Sequence, residues 1–270
     1  KTAKTEKDFN LADDIANTRV QITLTFCDDI YKEAYVFYLI NQYSKAIPPD
    51  GATRLLYEGK KNNDINFVNE VTRSGKVGEI ESMGVAERLN HNSSIWSFNI
   101  KDFNESGGSK ISIRAVAKTI IPLFKIIDEN NVSNTKASED ITYDVVEAFW
   151  TGFKDAYPMI FNQNTSSSYN ALKAGPSEIM MKVLLQIYKL SLGGQINHKM
   201  DQSKTFMDIL KPSLQNMRDV TPNGIAVSGE KLFLVGKLGA MGKYSNNAAK
   251  NDAARLINRQ VFKHLSLPTP

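Results

Sequence analysis

Cysteine, histidine and long apolar runs are scarce in this chain. The single cysteine, Cys27, excludes an internal disulfide and a cysteine-based zinc site. The three histidines, His91, His198 and His264, do not have the spacing of metal ligands. No apolar segment approaches the roughly 20 residues of a membrane helix, and the polar segment Lys1–Asn10 has no signal-peptide pattern. We therefore expect a cytoplasmic protein that contacts no membrane and holds no metal or cofactor.

Catalytic motifs are also missing. No serine lies in a G-x-S-x-G turn, and Cys27 ends a predicted buried strand, where a core thiol is favoured. The string Gly236–Lys243, which we call the glycine loop, resembles a phosphate-binding loop, but Tyr244 follows the lysine where that loop requires Ser or Thr. Two interpretations stay open: a flexible connection, or a loop whose backbone N–H groups approach a phosphate. We assign no catalytic residue, which favours a protein that is not an enzyme.

The composition predicts a buried core, since 41% of the 270 residues are hydrophobic and 23% are charged. Apolar residues alternate over Thr18–Phe26 and Ile95–Phe103, which predicts strands, and Lys231–Val235 is a further candidate strand. Spacing of three and four residues predicts helices over Asp28–Ser44, Pro49–Glu58, Asp64–Arg73, Gly78–Asn90, Ile141–Tyr157, Gly175–Leu192, Thr205–Asp219 and Asn246–His264. The segment Ile111–Asn130 is either a strand that leads into a helix or a helix throughout. We predict an α+β fold that is predominantly helical, with a few short strands near the N-terminus and a helical C-terminal region.

The best candidate for an internal boundary is Asn131–Glu139, which is rich in Asn, Ser and Thr and almost without apolar residues. It divides the chain into an α+β portion, 1–130, and a helical region, 139–270.

Positive charge is concentrated at the C-terminal end. The net charge is only +4, but Gln195–Pro270 holds eleven lysines and arginines against five acidic residues. The densest cluster is Lys231, Lys237, Lys243, Lys250, Arg255, Arg259 and Lys263, with Asp252 as the only acidic residue between its ends. Such a cluster attracts polyanions, and lysine and arginine contacts to phosphate are the sequence-independent part of DNA binding. The alternative is an ordinary solvated surface with a basic bias.

Several short motifs follow one another in the first hundred residues. The helical segment Phe37–Lys45 places Asn41 and Lys45 on one face, where Asn41 can close the helix and Lys45 can favour the helix dipole. Further on come Ala86–Asn90 and Ser93–Trp96, the latter with an apolar pattern that favours core packing of Trp96. In this order the motifs resemble the DGQHR-domain family, downstream of its Asp-Gly-Gln-His-Arg motif. Two departures are the absence of that motif and an isoleucine where the family has proline before Trp96.

The resemblance implies a function linked to DNA. Members of the family act around DNA modification, and DndB of the DNA phosphorothioation systems is a transcriptional regulator. It also implies that 1–130 continues a ParB-like core, that this chain is the C-terminal portion of a longer protein, and that Asn41, Lys45 and Trp96 are family-motif residues.

Together the basic cluster and the resemblance predict a DNA-binding regulatory protein of a bacterial DNA-modification or defence system, with DNA as its partner. One alternative is a ParB-like nuclease or a nucleotide-hydrolysing enzyme of the same kind of system. Another is a helical interaction module in which Ile141–Leu192 docks a partner protein or a second copy of the chain.

Overall fold

The computed structural model describes residues 30–43, 49–97, 99–101, 110–131, 136–162 and 166–268. The predicted strand Thr18–Phe26 and Lys45 lie outside the described residues, as does the side chain of Asn41.

Helices dominate the described part of the chain. They are α1 (Ile30–Tyr43), α2 (Pro49–Lys61), α3 (Ile65–Arg73), α4 (Val77–Asn92), α5 (Ile113–Asn130), α6 (Ser138–Ala156), α7 (Pro158–Phe161), α8 (Ala174–Leu192), α9 (Ser203–Asn216) and α10 (Asn247–His264). Two strands, β1 (Ile100–Lys101) and β2 (Ile111–Ser112), pair in parallel, and β3 (Asp219–Val220) and β4 (Ala226–Val227) form an antiparallel hairpin. The prediction of a predominantly helical α+β fold is confirmed.

Local side-chain caps explain where several helices begin. Asn246 precedes α10, and its Oδ1 accepts a hydrogen bond from the N–H of Ala249 at 2.8 Å. Ser112 does the same for α5, accepting from the N–H of Ala115 at 3.3 Å. Each cap satisfies one of the N–H groups that the first turn leaves without a partner. These two starts were readable from sequence, because Asn and Ser are preferred N-cap residues.

The predicted strand over Ile95–Phe103 is largely wrong. Ser93 accepts hydrogen bonds through its hydroxyl from the N–H groups of Ile95 and Trp96, both at 3.0 Å, and folds the chain into a turn. Ile95 and Trp96 lie in this turn and are both buried. Among the described residues of the segment, which exclude 98, 102 and 103, strand pairing is confined to Ile100–Lys101, the β1 strand.

The candidate strand Lys231–Val235 is also wrong, because Gly229–Phe233 forms a 3₁₀ helix. Leu232 and Phe233, neighbours in this helix, are both completely buried. The β3–β4 hairpin that precedes it was not predicted, and Gly224 in its turn has a φ of +80°, a conformation that favours glycine.

Aromatic side chains join the two sides of the predicted boundary in one core. Trp96, from the first portion, packs edge-to-face on Trp150 of α6 with ring centroids 4.9 Å apart. Phe149 of α6 in turn packs against Phe206 of α9 at 5.4 Å. Trp96 is only 2% exposed, so it lies in the core, as its apolar sequence pattern predicted. Buried residues before and after Asn131–Glu139 therefore belong to one hydrophobic cluster.

The carboxyl groups of Glu81 on α4 and Glu139 on α6 meet where these two helices pack together. Glu139 lies against Gly84, where a Cβ would stand 2.6 Å from the Glu139 Oε1. Burial, followed by the charge of Glu81 and a hydrogen bond with it, raises the pKa of Glu139 from 4.5 to about 7. Lys60, which pairs with Glu81, and Arg88, which pairs with Asp140 at 2.6 Å, oppose this rise only partly.

We expect the free energy of unfolding to fall as pH rises from about 5 to 8. The folded chain holds the Glu139 proton up to about pH 7, whereas the unfolded chain releases it near pH 4.5, so ionisation costs stability in this window. After allowance for solvent screening, the loss is about 1–2 kcal/mol. Urea unfolding at pH 5 and pH 8 measures it, and Glu139→Gln is expected to reduce the loss by this amount. An equal loss in both proteins would show that Glu139 is not the responsible group.

Candidate nucleic-acid interface

A groove of about 930 Å³ lies between α5, α8 and α10. Helix α10 buries Ala253, Ile257 and Val261, which are spaced four residues apart along one face. Other faces of the helix remain to form one wall of the groove. Five cationic side chains line the groove: Lys118 from α5, Lys182 from α8, and Lys250, Arg255 and Arg259 from α10.

Among the described residues, Glu178 is the only acidic one that lines the groove. Its carboxylate accepts a hydrogen bond from Lys250 at 2.5 Å and pairs with Lys182 at 3.1 Å. Burial alone raises the pKa of Glu178, but the hydrogen bonds from Lys250 and Lys182 outweigh it, so the pKa is lowered overall. The carboxylate therefore stays ionised and balances one of the two lysines, which leaves the lining with an excess of positive charge.

Arg255, Arg259 and Lys263 form a ridge along α10. They are spaced four residues apart, so successive members lie about 6 Å apart along the helix axis. Arg255 is 63% exposed and pairs with Asp252 at 3.3 Å within the helix, which is a weak interaction at a solvated surface. Arg259 and Lys263 form no ion pair with any residue in the described ranges. The ridge therefore keeps most of its charge available to an anion.

Lys243 lies at the surface but is paired with a buried carboxylate, so its charge is already balanced. Its ammonium donates to Oδ1 of Asp219 at 2.6 Å and to the carbonyl of Val220 at 2.7 Å. The hydroxyl of Tyr244 donates to the other oxygen of Asp219, also at 2.6 Å. Asp219 is 8% exposed, so Lys243 serves to neutralise a buried carboxylate.

Lys231 and Lys237 are exposed, but they lie on separate 3₁₀ helices and do not line the groove. The seven predicted cations are therefore divided: three line the groove, Lys263 extends the ridge, two lie elsewhere on the surface and one is neutralised.

Sequence reasoning missed Lys118 and Lys182. A signal for Lys182 exists, since Glu178, Lys182 and Gln186 recur every four residues along the otherwise apolar helix α8 and mark one polar stripe. All three line the groove. Lys118 has no comparable signal, because its place beside α10 depends on how α5 packs on α8.

The described residues include no cluster of three or more His, Cys, Asp or Glu side chains suited to a metal ion. None of their helices combines the length and the apolar character needed to cross a bilayer.

The groove thus offers a cationic surface that includes two exposed arginines, Arg255 and Arg259. Arginine presents a fork of N–H groups that binds phosphate oxygens in pairs. The chain matches no protein-family model, no curated protein and no solved structure.

Proposed function

We propose that this chain is a DNA-binding regulatory protein and that the groove between α5, α8 and α10 holds the phosphate backbone. The observation that carries the proposal is the gathering of five cationic side chains from three helices around one carboxylate, Glu178. Lys118 and Lys182 come from chain segments far from α10 in sequence, so the cluster does not simply repeat the basic bias of the C-terminal end.

The ridge Arg255–Arg259–Lys263 makes the first contact in this proposal. Its side chains are exposed along one side of the groove and engage successive phosphates of one strand, while Lys118 and Lys182 face the same strand from the other walls. Such contacts position the DNA and supply affinity without reading its sequence. The regulatory role in a DNA-modification system is supported by the resemblance of Phe37–Lys45 and Ser93–Trp96 to the DGQHR-domain family.

The double substitution Arg255→Ala/Arg259→Ala is expected to weaken binding of duplex DNA by about tenfold or more, whatever the sequence. Each lost phosphate contact also reduces the slope of log affinity against log salt by about 1. Fluorescence anisotropy with two unrelated duplexes over a range of salt concentrations measures both effects.

The matched control is Lys231→Ala/Lys237→Ala, which removes the same charge outside the groove. It is expected to change affinity much less than the arginine pair does. Equal losses in the two double variants would reduce the effect to net charge, and unchanged binding in the arginine variant would refute the proposal. Plasmid nicking and nucleotide turnover by the same protein test the enzyme alternative.

A further inference from the structure

The groove between α5, α8 and α10 has an apolar base as well as cationic side chains. Helix α8 packs against both α5 and α10, so it lies at the base of the groove and the other two helices form its walls. Met181 and Leu185, four residues apart on α8, line this base. Pro122 of α5 and Phe262 of α10 continue the apolar surface on the two walls. Phosphate oxygens gain no stabilisation from such a surface, so charge alone does not account for the lining of the groove.

The cationic and the apolar side chains lie at different depths. Lys118, Arg255 and Arg259 are exposed, whereas Met181 is 5% and Phe262 6% exposed. The exposed cations therefore stand at the rim, the lysine on the α5 wall and the two arginines on the α10 wall, and the apolar atoms lie deeper. A polyanion whose charges follow the rim holds its other groups over the apolar base.

Neutral amide side chains complete the lining. An amide both donates and accepts hydrogen bonds, as the edges of nucleobases do. Lys182 at the base donates to Oδ1 of Asn251 on the α10 wall at 2.8 Å, so this amide is held within the groove. The amide residues that line the groove are Gln186, Asn247, Asn251 and Asn258. The lining thus combines cations for phosphate, amides for base edges and an apolar surface for base faces.

The volume of the groove suits unpaired nucleotides. About 930 Å³ is near the upper end of the roughly 300–1,000 Å³ of sites that enclose a small organic ligand, so a few nucleotides fit inside. A duplex keeps its bases stacked and paired within the double helix, so it meets the rim with its phosphates and leaves the apolar base uncovered. In a single strand the base faces are open, and they gain free energy when they leave water for an apolar surface.

We infer, on the basis of the proposed DNA-binding function, that the groove binds single-stranded DNA in preference to duplex DNA. The phosphates of the strand pair with Lys118, Arg255 and Arg259 at the rim. The bases turn inward and lie on Met181 and Leu185, while the amide side chains form hydrogen bonds with the base edges. Because every nucleobase has an apolar face, this mode of binding needs no particular sequence.

Fluorescence anisotropy with the full chain tests this preference. A labelled mixed-sequence strand without self-complementarity is compared with the same strand annealed to its complement, and the single strand is expected to bind about tenfold more tightly. Charge cannot produce this result, because the duplex has the higher density of phosphates and the steeper salt dependence. The preference is therefore expected to grow as the salt concentration rises. RNA of the same sequence is expected to bind no more tightly than the DNA strand.

Leu185→Gln tests the apolar base. Leu185 is half-buried, and glutamine places a polar group where the bases lie, so single-strand binding is expected to weaken about fivefold and duplex binding by less than about twofold. Leu55→Gln is the matched control, because Leu55 is also a half-buried helical leucine packed against the core but does not line the groove. It is expected to leave both affinities unchanged, and circular dichroism checks that both variants are folded.

Duplex binding as tight as single-strand binding would overturn the inference, and a loss of duplex binding in Arg255→Ala/Arg259→Ala would show that the proposed function holds without it. Absence of binding to either form would refute the proposed function itself. Single-strand binding that is unchanged in Leu185→Gln, or weakened equally in Leu55→Gln, would show that the bases do not lie on α8. Displacement of the strand by polyglutamate at equal charge, or tighter binding of the RNA, would assign the groove to another polyanion and also overturn the inference.

Discussion

Gly152→Ala is expected to destabilise the protein by about 3 kcal/mol or more. Gly152 lies where α6 crosses α9, and a Cβ there would stand 2.4 Å from the carbonyl oxygen of Ser203 and 2.8 Å from Cβ of Phe206. The obstacle includes backbone, so the two helices must separate to admit a methyl group. Because these helices form the centre of the aromatic core, separation loosens the packing of Phe149 on Phe206. Urea unfolding followed by circular dichroism measures the loss.

The control is Gly78→Ala, another helical glycine. A Cβ at this position meets nothing closer than the Lys125 side chain, at 3.7 Å. The substitution therefore adds no clash and restricts the unfolded chain, so stability is expected to stay the same or to rise by about 0.5 kcal/mol. Equal stability of Gly152→Ala and the unaltered protein would show that α6 and α9 do not approach as closely as described.

Asp219→Ala is expected to destabilise the protein by about 2 kcal/mol, because it removes a buried carboxylate that accepts hydrogen bonds from Lys243 and Tyr244. It removes the acceptor of Lys243 and Tyr244 and leaves the lysine without its counter-charge beside the β3–β4 hairpin. It also frees the Tyr244 hydroxyl, whose pKa is raised by burial and by the hydrogen bond to Asp219. Thermal and urea unfolding measure the effect, and ultraviolet titration of tyrosine follows the hydroxyl.

Asp252→Ala is the matched control, since Asp252 also pairs with a cation but is 61% exposed. Its loss is expected to change stability by no more than about 0.5 kcal/mol. Replacing Lys243 by methionine together with Asp219→Ala should cost less than Asp219→Ala alone, because no ammonium is then left beside the hairpin without its counter-charge. Equal destabilisation by Asp219→Ala and Asp252→Ala would contradict the role given to the buried network.

Helices were predictable because their signals are local. The apolar spacing of Ala253, Ile257 and Val261 marks the buried face of α10, and Asn246 marks its first turn. The strand predictions over Ile95–Phe103 and Lys231–Val235 failed because both segments contain turns. Alternation of apolar and polar residues does not reveal such turns. Ser93 caps a turn at Ile95, and Leu232 and Phe233 lie in a 3₁₀ helix.

The basic cluster illustrates a different limit of sequence reasoning. Counting charges identified Arg255 and Arg259 correctly as neighbours on one helix, because four residues make about one turn. The same count could not show that Lys243 neutralises Asp219, which is 24 residues away. It also could not show that Lys118 lies beside Arg259 in one groove.

By itself the sequence determined the helical character of the chain, most helix positions and the excess of positive charge at the C-terminal end, since these follow from spacing and composition over a few turns. The tertiary structure alone decided which cations remain available and which walls they share. Ion pairing and groove formation depend on contacts between helices distant in the chain, and such contacts are set by the packing of the whole core rather than by any local pattern.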